Sequence, residues 1–158
     1  MIILNSPLKK AVIGCLLAVF LSLAPGCDNS TGSDPVGPTA NLVVTFDPNP
    51  TFFVADGLWL YRVYVTETNG VGVHIYGWIR QAYSLADVPA AEEKGGELKF
   101  IEEFNDCGGE GNYLPAFGTR CSDYYTIDWK NSGWQTYTFY GVDDSGNEVT
   151  GEGRLDFL

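Results

Sequence analysis

The stretch LWLYRVYVTETNGVGVHIYGWIRQ, residues 58–81, decides the fold of this chain. Two runs of aromatic and β-branched residues flank Thr68-Asn69-Gly70, and runs of this kind around a Gly-containing turn are typical of a β-hairpin. Within the first run, bulky side chains alternate with a two-residue period, as in a strand with one face on a core. The stretch therefore predicts an antiparallel hairpin.

The length of the turn determines which residues of the hairpin share a face. A two-residue Asn69-Gly70 turn would leave both faces mixed. A three-residue turn at 68–70, with Gly70 left-handed, produces one uniformly apolar face. Because a slip of one residue turns every side chain to the opposite face, the cleaner separation favours the three-residue turn. The predicted core face comprises Trp59, Tyr61, Val63, Val65, Val71, Val73, Ile75 and Ile79.

The opposite face of this hairpin is the first candidate binding surface. Aromatic rings with polar groups on an exposed sheet suit sugar stacking or protein contact. The competing interpretation is that the rings pack on one another, or lie under segment 84–97. The residues predicted to bind are Arg62, Tyr64, His74, Tyr76 and Trp78.

Further strands are predicted on both sides of the hairpin. Turn-forming residues separate the later ones, at Asn131-Ser132-Gly133 and at Asp144-Ser145-Gly146-Asn147. About seven strands with such turns predict an all-β fold, an antiparallel two-sheet sandwich of the immunoglobulin-like kind. The added predictions are strands at 42–46, 51–54, 98–104, 124–129, 134–142 and 149–157, and a short helix within 84–94 that Pro89 interrupts.

Several strand and turn segments resemble immunoglobulin-like and fibronectin type III-like modules in surface and secreted proteins of environmental bacteria. The resemblance covers most of residues 42–157. It implies the sandwich fold, and such modules share no chemistry. The segments are VTFDPNP at 44–50, Trp59-x-Tyr61, ETNGVGV at 67–73, LPAFGT at 114–119 and GVDDSGN at 141–147.

The first 26 residues have the pattern of a secretory signal peptide. Lys9 and Lys10 precede the apolar run Ala11–Leu23, which is shorter than the roughly 20 residues of a membrane-spanning helix. Small residues follow it, as at a cleavage site. An uncleaved membrane anchor and a plain secretory signal are the alternatives.

The segment Leu23-Ala24-Pro25-Gly26-Cys27 resembles the lipobox of bacterial lipoproteins, although Ala24 and Pro25 depart from the usual pattern. A second match at 12–15 lies inside the apolar run and is set aside. The resemblance implies that Cys27 is diacylated and becomes the mature N-terminus. Two or more acyl chains make attachment to a membrane stable.

The order of segments then predicts the organisation and location of the mature protein. Residues 27–40 form a tether of Ser, Gly, Pro, Asp and Thr that is too polar to build a core, and the folded domain covers 41–158. The predicted location is the cell envelope, lipid-anchored to a bacterial membrane and facing the periplasm or the cell surface. Asp28 favours inner-membrane retention in enteric bacteria.

The charge of the chain restricts its partners. Removal of Lys9 and Lys10 with the leader leaves 7 basic and 20 acidic side chains, a formal charge of −13. Such a surface repels phosphate backbones and anionic lipid headgroups. Nucleic-acid binding is therefore excluded, and membrane attachment requires the covalent anchor.

Cys107 and Cys121 are predicted to form a disulfide, because exported proteins reside where disulfides persist. The alternative, a metal pair, lacks further cysteines, and the chain has a single histidine. The Gly-rich loop that the bridge would close is the second candidate binding site, since loops at sandwich ends often bind.

No catalytic constellation is visible in the sequence. His74 has no Gly-x-Ser-x-Gly motif to accompany it. The acidic clusters 102–106 and 143–148 could hydrolyse glycosides or hold calcium, but a hairpin turn explains the second without a metal. We expect no enzyme activity, cofactor or metal.

The predicted function is a non-enzymatic, lipid-anchored envelope module that binds a protein or glycan partner. The alternative is a structural accessory or spacer subunit of an envelope complex without its own ligand. A small hydrolase is the third interpretation, and it would need a polar cleft converging on His74 or on the carboxylates.

Intact-mass measurement tests the anchor at Cys27. We expect the mature chain to begin at this residue and to carry the added mass of fatty acyl chains, because the leader pattern predicts cleavage and lipidation there. A mature form that retains the leader, or that lacks fatty acid, would contradict the anchor without affecting the fold.

Overall fold

The computed structural model describes residues 37–54, 58–127 and 133–158. They lie within the compact unit Asp34–Leu158. The leader, Cys27 and the tether up to residue 36 lie outside the described residues, so the signal peptide and the lipid anchor stay predictions. Within the described ranges, no helix is long and apolar enough to cross a membrane.

Ten strands and one helix occur in the described residues. In chain order they are β1 (Leu42–Asp47), β2 (Phe53–Val54), β3 (Leu58–Glu67), β4 (Val73–Ser84), β5 (Pro89–Gly96), α1 (Glu97–Glu103), β6 (Tyr113–Leu114), β7 (Thr119–Cys121), β8 (Tyr125–Ile127), β9 (Gly133–Asp143) and β10 (Glu148–Phe157).

The strands form two antiparallel sheets. In the first sheet, β3 pairs with β1 and β7 through the same residues, so these two strands lie on opposite sides of it. The short strands β2 and β8 pair with the earlier part of β3. The second sheet has the order β10-β9-β4-β5, and β6 pairs with the start of β4. The predicted fold class, an all-β antiparallel two-sheet sandwich of immunoglobulin-like type, is confirmed.

The predicted hairpin is wrong, because β3 and β4 belong to different sheets. Residues 68–72 carry the chain from the first sheet to the second, and Gly70 is left-handed as expected, with φ +79°. The inward residues of β3 were identified correctly: Trp59, Tyr61, Val63 and Val65 are all buried. Alternation reveals which side chains face the core, but two strands on opposite sides of one core give the same pattern as a hairpin.

A β-bulge in β4 reverses the predicted orientation of Trp78. The pairing with β9 shifts between Ile75 and Gly77, which places one extra residue, Tyr76, in the strand. Every later side chain then turns to the opposite face. Trp78 is consequently in the core, with 2% of its surface exposed, while Ile79 is only half-buried.

The predicted helix at 84–94 and strand at 98–104 are also wrong. The first region continues β4 and turns back as β5, which pairs with β4 from Gly77 to Tyr83. Pro89 is tolerated because it is the first residue of an edge strand. The helix follows as α1, and the rings of Phe100 and Phe104, four residues apart, are fully buried. That spacing places both rings on one helical face.

Close contact between β1 and β10 brings the two sheets together on the side opposite α1. A Cβ atom on Gly151 would lie 2.5 Å from the Leu42 Cβ, and one on Gly153 would lie 2.5 Å from the Val44 carbonyl oxygen. Only glycine permits this approach, since any side chain at either position would displace β1.

The carboxylate of Glu67 organises the crossing between the sheets. It is buried and accepts hydrogen bonds from the backbone N–H groups of Asn69 at 2.7 Å, Gly70 at 2.8 Å, Phe117 at 3.0 Å and Asn41 at 3.2 Å. Burial alone would raise the pKa of Glu67, but these four donors together hold it below its usual value. One side chain therefore joins the start of β1, the crossing and the 114–118 turn.

The carboxylate of Asp143 also binds backbone N–H groups from separate segments of the chain. Its carboxylate accepts N–H groups from Asn147 at 2.8 Å, Ser145 at 2.9 Å and Ala40 at 3.2 Å. Burial would raise the pKa of Asp143, and these donors, with the Asn147 side chain, lower it overall. The residues that lead into β1 are thus fixed at the end of the sandwich that contains the crossing.

Replacing Glu67 with Gln should destabilise the fold by roughly 3 kcal/mol at neutral pH, because the new amide places donors against backbone donors in a buried site. Because the pKa of Glu67 is lower in the folded state, the ionised carboxylate adds to the free energy of unfolding at pH values above its unfolded pKa of about 4.3. This contribution is lost as the pH falls through the pKa of the folded state. Urea unfolding as a function of pH should therefore be less acid-sensitive in Glu67→Gln than in the wild type. The matched control is Glu148→Gln at an exposed position; equal effects of the two changes would contradict the role of Glu67.

Candidate functional site

The five residues predicted to bind do not share one surface. Arg62 and Tyr64 lie on the outer face of the first sheet, whereas His74 and Tyr76 lie on the outer face of the second. Trp78 is in the core between them. The prediction that these residues share one face is wrong, because the crossing at 68–72 places β3 and β4 in different sheets and the bulge in β4 turns Trp78 inward. Whether any of these residues binds a ligand stays a prediction.

Arg62 is the centre of the outer face of the first sheet. Its Nε donates to the Ser122 carbonyl at 2.8 Å, and its guanidinium pairs with the Asp106 carboxylate. The guanidinium carbon lies 5.0 Å from the ring centroid of Tyr124 and 6.0 Å from that of Tyr64. Each distance is within the range of a cation–π contact. Arg62 is thus held by both polar and aromatic neighbours.

The predicted disulfide is confirmed and lies next to this cluster. Cys107 and Cys121 are bonded, with Cα atoms 5.2 Å apart. Cys121 is the β7 partner of Tyr64, and Asp106 immediately precedes Cys107. The aromatic face and the disulfide-closed loop, predicted as separate candidate sites, therefore meet. We call this the braced surface: Arg62, Tyr64, Asp106, Tyr124 and the Cys107–Cys121 disulfide.

Arg120 supports the loop of the braced surface from beneath. It is buried, its Nη1 donates to the Gly108 carbonyl at 3.0 Å, and its other terminal nitrogen donates to Gly111. Its guanidinium carbon lies 5.8 Å from the Phe100 ring centroid, and burial lowers its pKa. The loop is thus held at its ends by the disulfide and along its first residues by Arg120, which reduces the entropy lost when a partner binds.

Sequence reasoning missed Tyr124 and Arg120, and it considered Asp106 only as part of the acidic cluster 102–106, not as a partner of Arg62. Tyr124 was predicted only as the first residue of a strand at 124–129, yet half of its surface is exposed beside Arg62. Its position depends on the pairing of β8 with β3, which no local pattern in the sequence reveals. Asp106 could have been suspected, because it is adjacent to a cysteine of the predicted disulfide.

The rings on the outer face of the second sheet pack on one another. Tyr83 stacks on Trp134 with ring centroids 3.8 Å apart, and the Arg154 guanidinium lies 4.3 Å from the same indole. Because Tyr83 and Arg154 come from the strands on opposite sides of β9, they cover both faces of the Trp134 ring. His74 lies 4.8 Å from Tyr113 and Tyr76 lies 6.5 Å from Tyr140, between ring centroids. This face fits the competing interpretation of an ordinary outer sheet.

The acidic clusters considered for metal binding have other partners. The Asp143 carboxylate is occupied by backbone donors of the 143–147 turn, as a hairpin turn would require. Glu103 accepts the Tyr125 hydroxyl at 2.6 Å, and Asp106 pairs with Arg62. No group of three potential ligands among His, Cys, Asp and Glu occurs within the described ranges.

No family model matches this chain, and no curated protein matches it. Solved structures with similar strand arrangements include the proposed ApaA protein of Bordetella pertussis, at 13% identity and a TM-score of 0.47, covering 76% of this chain and 96% of that one. A structural genomics target, SoR45, has 14% identity and a TM-score of 0.44, with coverage of 74% and 86%. A CARDB domain from Pyrococcus furiosus, solved with di-metal ions, has 12% identity and a TM-score of 0.38, with coverage of 76% and 90%.

Two neighbouring aromatic residues of β4 provide a direct test of the bulge. Trp78→Ala should destabilise the fold by about 3–5 kcal/mol, the usual cost of truncating a large buried ring. Tyr76→Ala should change stability by less than about 1 kcal/mol, because Tyr76 is 46% exposed. Guanidinium unfolding of both variants measures the difference; similar small losses would contradict the core position of Trp78.

Proposed function

We propose that this protein is a non-enzymatic, lipid-anchored module of the bacterial cell envelope that binds a protein or glycan partner through the braced surface. The observation that supports it is the fixed, partly exposed Arg62 between two tyrosine rings. Tyrosine and arginine are enriched among the residues that dominate binding energy at protein interfaces. The braced surface has this composition, which favours a protein partner over a glycan.

Rigidity is the second support for a binding role. The disulfide, the Arg62–Asp106 pair and the Arg120 contacts hold the side chains and the loop in one arrangement. A surface that is already ordered loses little conformational entropy on binding. The Arg62 charge is balanced by Asp106, so the partner need not be strongly acidic.

The proposed anchor at Cys27 is supported by the leader pattern and by where the domain begins. Thr39, Ala40 and Asn41 are tied to Asn69, Asp143 and Glu67, at the end of the sandwich that contains the crossing. A lipid-anchored tether that joins the domain at Thr39–Asn41 would hold this end of the sandwich at the membrane. The opposite end, with the 84–89 turn and Leu158, would then point away from it.

Arg62→Ala and Tyr124→Ala should each weaken partner binding at least tenfold, since truncation of a central anchor typically costs about 2 kcal/mol or more. Purified mature protein would be probed by cross-linking to solubilised envelope proteins and on a glycan array. Lys94→Ala, exposed on the second sheet, is the matched control that should retain binding. Undiminished binding by both test variants would contradict the braced surface as the site.

The predicted alternative, an accessory subunit of an envelope complex, is favoured by a different observation. Large exposed apolar side chains are concentrated at the end opposite the crossing, where a subunit contact would bury them. They are Phe52, Phe53, Val54, Leu85, Val88 and Leu158. Co-purification of a partner in fixed ratio, unaffected by Arg62→Ala, would favour this function over the first.

A further inference from the structure

We infer that the turn at 115–118 docks on the lipid surface beside the anchor, with the ring of Phe117 inserted among headgroups that carry no net charge. We name it the Phe117 turn, formed by Pro115, Ala116, Phe117 and Gly118. The inference rests on the proposed anchor at Cys27, and it adds a non-covalent contact that fixes which end of the domain faces the membrane.

The tip of the Phe117 turn is apolar and open to solvent. Pro115, Ala116 and Phe117 are all exposed, and 72% of the Phe117 surface is accessible. None of the three has a polar side-chain atom. Moving such a ring from water into a lipid interface is favourable, and phenylalanine is one of the residues that interfacial membrane segments bury there.

The backbone holds this ring at a position that favours a different residue. The Gly118 N–H donates to the Pro115 carbonyl at 2.8 Å, so residues 115–118 form a β-turn with Phe117 third. Phe117 has φ +56°, a left-handed value that glycine and asparagine adopt readily and bulky side chains rarely do. Left-handed backbone at a residue other than glycine is costly and is concentrated at functional positions. An exposed ring at this position therefore indicates a role outside the fold.

Glu67 connects the Phe117 turn to the point where the tether joins the domain. Its carboxylate accepts the Phe117 N–H at 3.0 Å and the Asn41 N–H at 3.2 Å. The tip of the ring lies against Gly70, because a Cβ atom there would come within 2.8 Å of the Phe117 Cζ. The ring is thus held in one direction, at the same end of the sandwich as the start of β1.

The length of the predicted tether places this end near the lipid. Residues 28–38 separate Cys27 from Thr39, whose carbonyl accepts the Asn69 side-chain amide at 2.7 Å. A flexible chain of that length has an average span of about 20 Å. An anchor at Cys27 would therefore confine the Phe117 turn to the neighbourhood of the headgroups, where a contact too weak to form from solution becomes populated.

The charges at this end favour lipid without net charge over anionic lipid. The paired residues closest to the turn on the first sheet, Val43, Thr66 and Thr119, are uncharged. Asp144 and Glu148 are exposed acids at the same end of the second sheet. These acids would repel an anionic headgroup, whereas phosphatidylcholine does not oppose them.

Quenching by lipid-attached spin labels tests the contact on the lipidated mature chain bound to phosphatidylcholine vesicles. An NBD fluorophore on Ala116→Cys should be quenched roughly threefold more than the same fluorophore on Leu85→Cys. An interfacial side chain lies about 5–10 Å into the headgroup region, whereas ten-residue strands place the opposite end about 30 Å away. Leu85 is the matched control because it is also an exposed apolar residue in a turn.

Phe117→Asn in the Ala116→Cys background removes the ring and keeps a residue that tolerates left-handed φ. Quenching at position 116 should fall to the level of the Leu85→Cys control. The urea unfolding midpoint should equal or exceed that of the parent, because the substitution relieves backbone strain. Adding phosphatidylglycerol to the vesicles should not increase the quenching.

Four outcomes would overturn the docked Phe117 turn. They are equal quenching at the two labelled positions, quenching unaffected by Phe117→Asn, stronger quenching with phosphatidylglycerol, and a marked fall in the unfolding midpoint, which would assign the ring to packing on Gly70. Flotation of the vesicles separates this failure from that of the anchor. A chain that floats with the vesicles but is not quenched at position 116 contradicts the Phe117 turn alone, whereas a chain that does not float contradicts the anchor and the docking with it.

Discussion

The structure depends on the buried carboxylate of Glu67 and the backbone groups that it holds. Four N–H donors from three segments converge on it, so the crossing, the start of β1 and the turn at 114–118 cannot move independently. The chain can therefore pass from one sheet to the other within residues 68–72. This places β3 and β4 on opposite sides of one core and leaves each outer face to a different set of residues.

Local patterns predicted the inward residues of β3 and the bounds of that strand, because alternation is a property of the strand itself. They did not predict its partners, because pairing is decided by the whole chain. Gly77 indicated the bulge, since a glycine within a strand pattern often marks a β-bulge. The four-residue spacing of Phe100 and Phe104 likewise indicated the helix α1. In contrast, nothing local in the Ala- and Glu-rich segment of β5 indicates a strand; pairing with β4 imposes it.

The candidate site was predictable only in part. Arg62 and Tyr64 were found because they are polar and aromatic residues on the outward side of a recognisable strand. Tyr124 and Asp106 join them through long-range pairing and through the disulfide, which brings a loop about 40 residues away in sequence onto the same face. Arg120 gave no signal, because the burial of a charged residue is visible only once the strands around it are placed.

The placement of Asn41 and Leu158 at opposite ends of the sandwich has a mechanical consequence. The described chain enters at the end that holds Glu67, and Leu158 lies at the other end, beside Thr51. Tension between these points would run parallel to the strands. The six residue pairs of β1 with β3 would then be sheared together instead of opening one at a time, because their hydrogen bonds lie across the direction of pull. The fold is thus oriented to resist stretching when it is held at one end and loaded at the other.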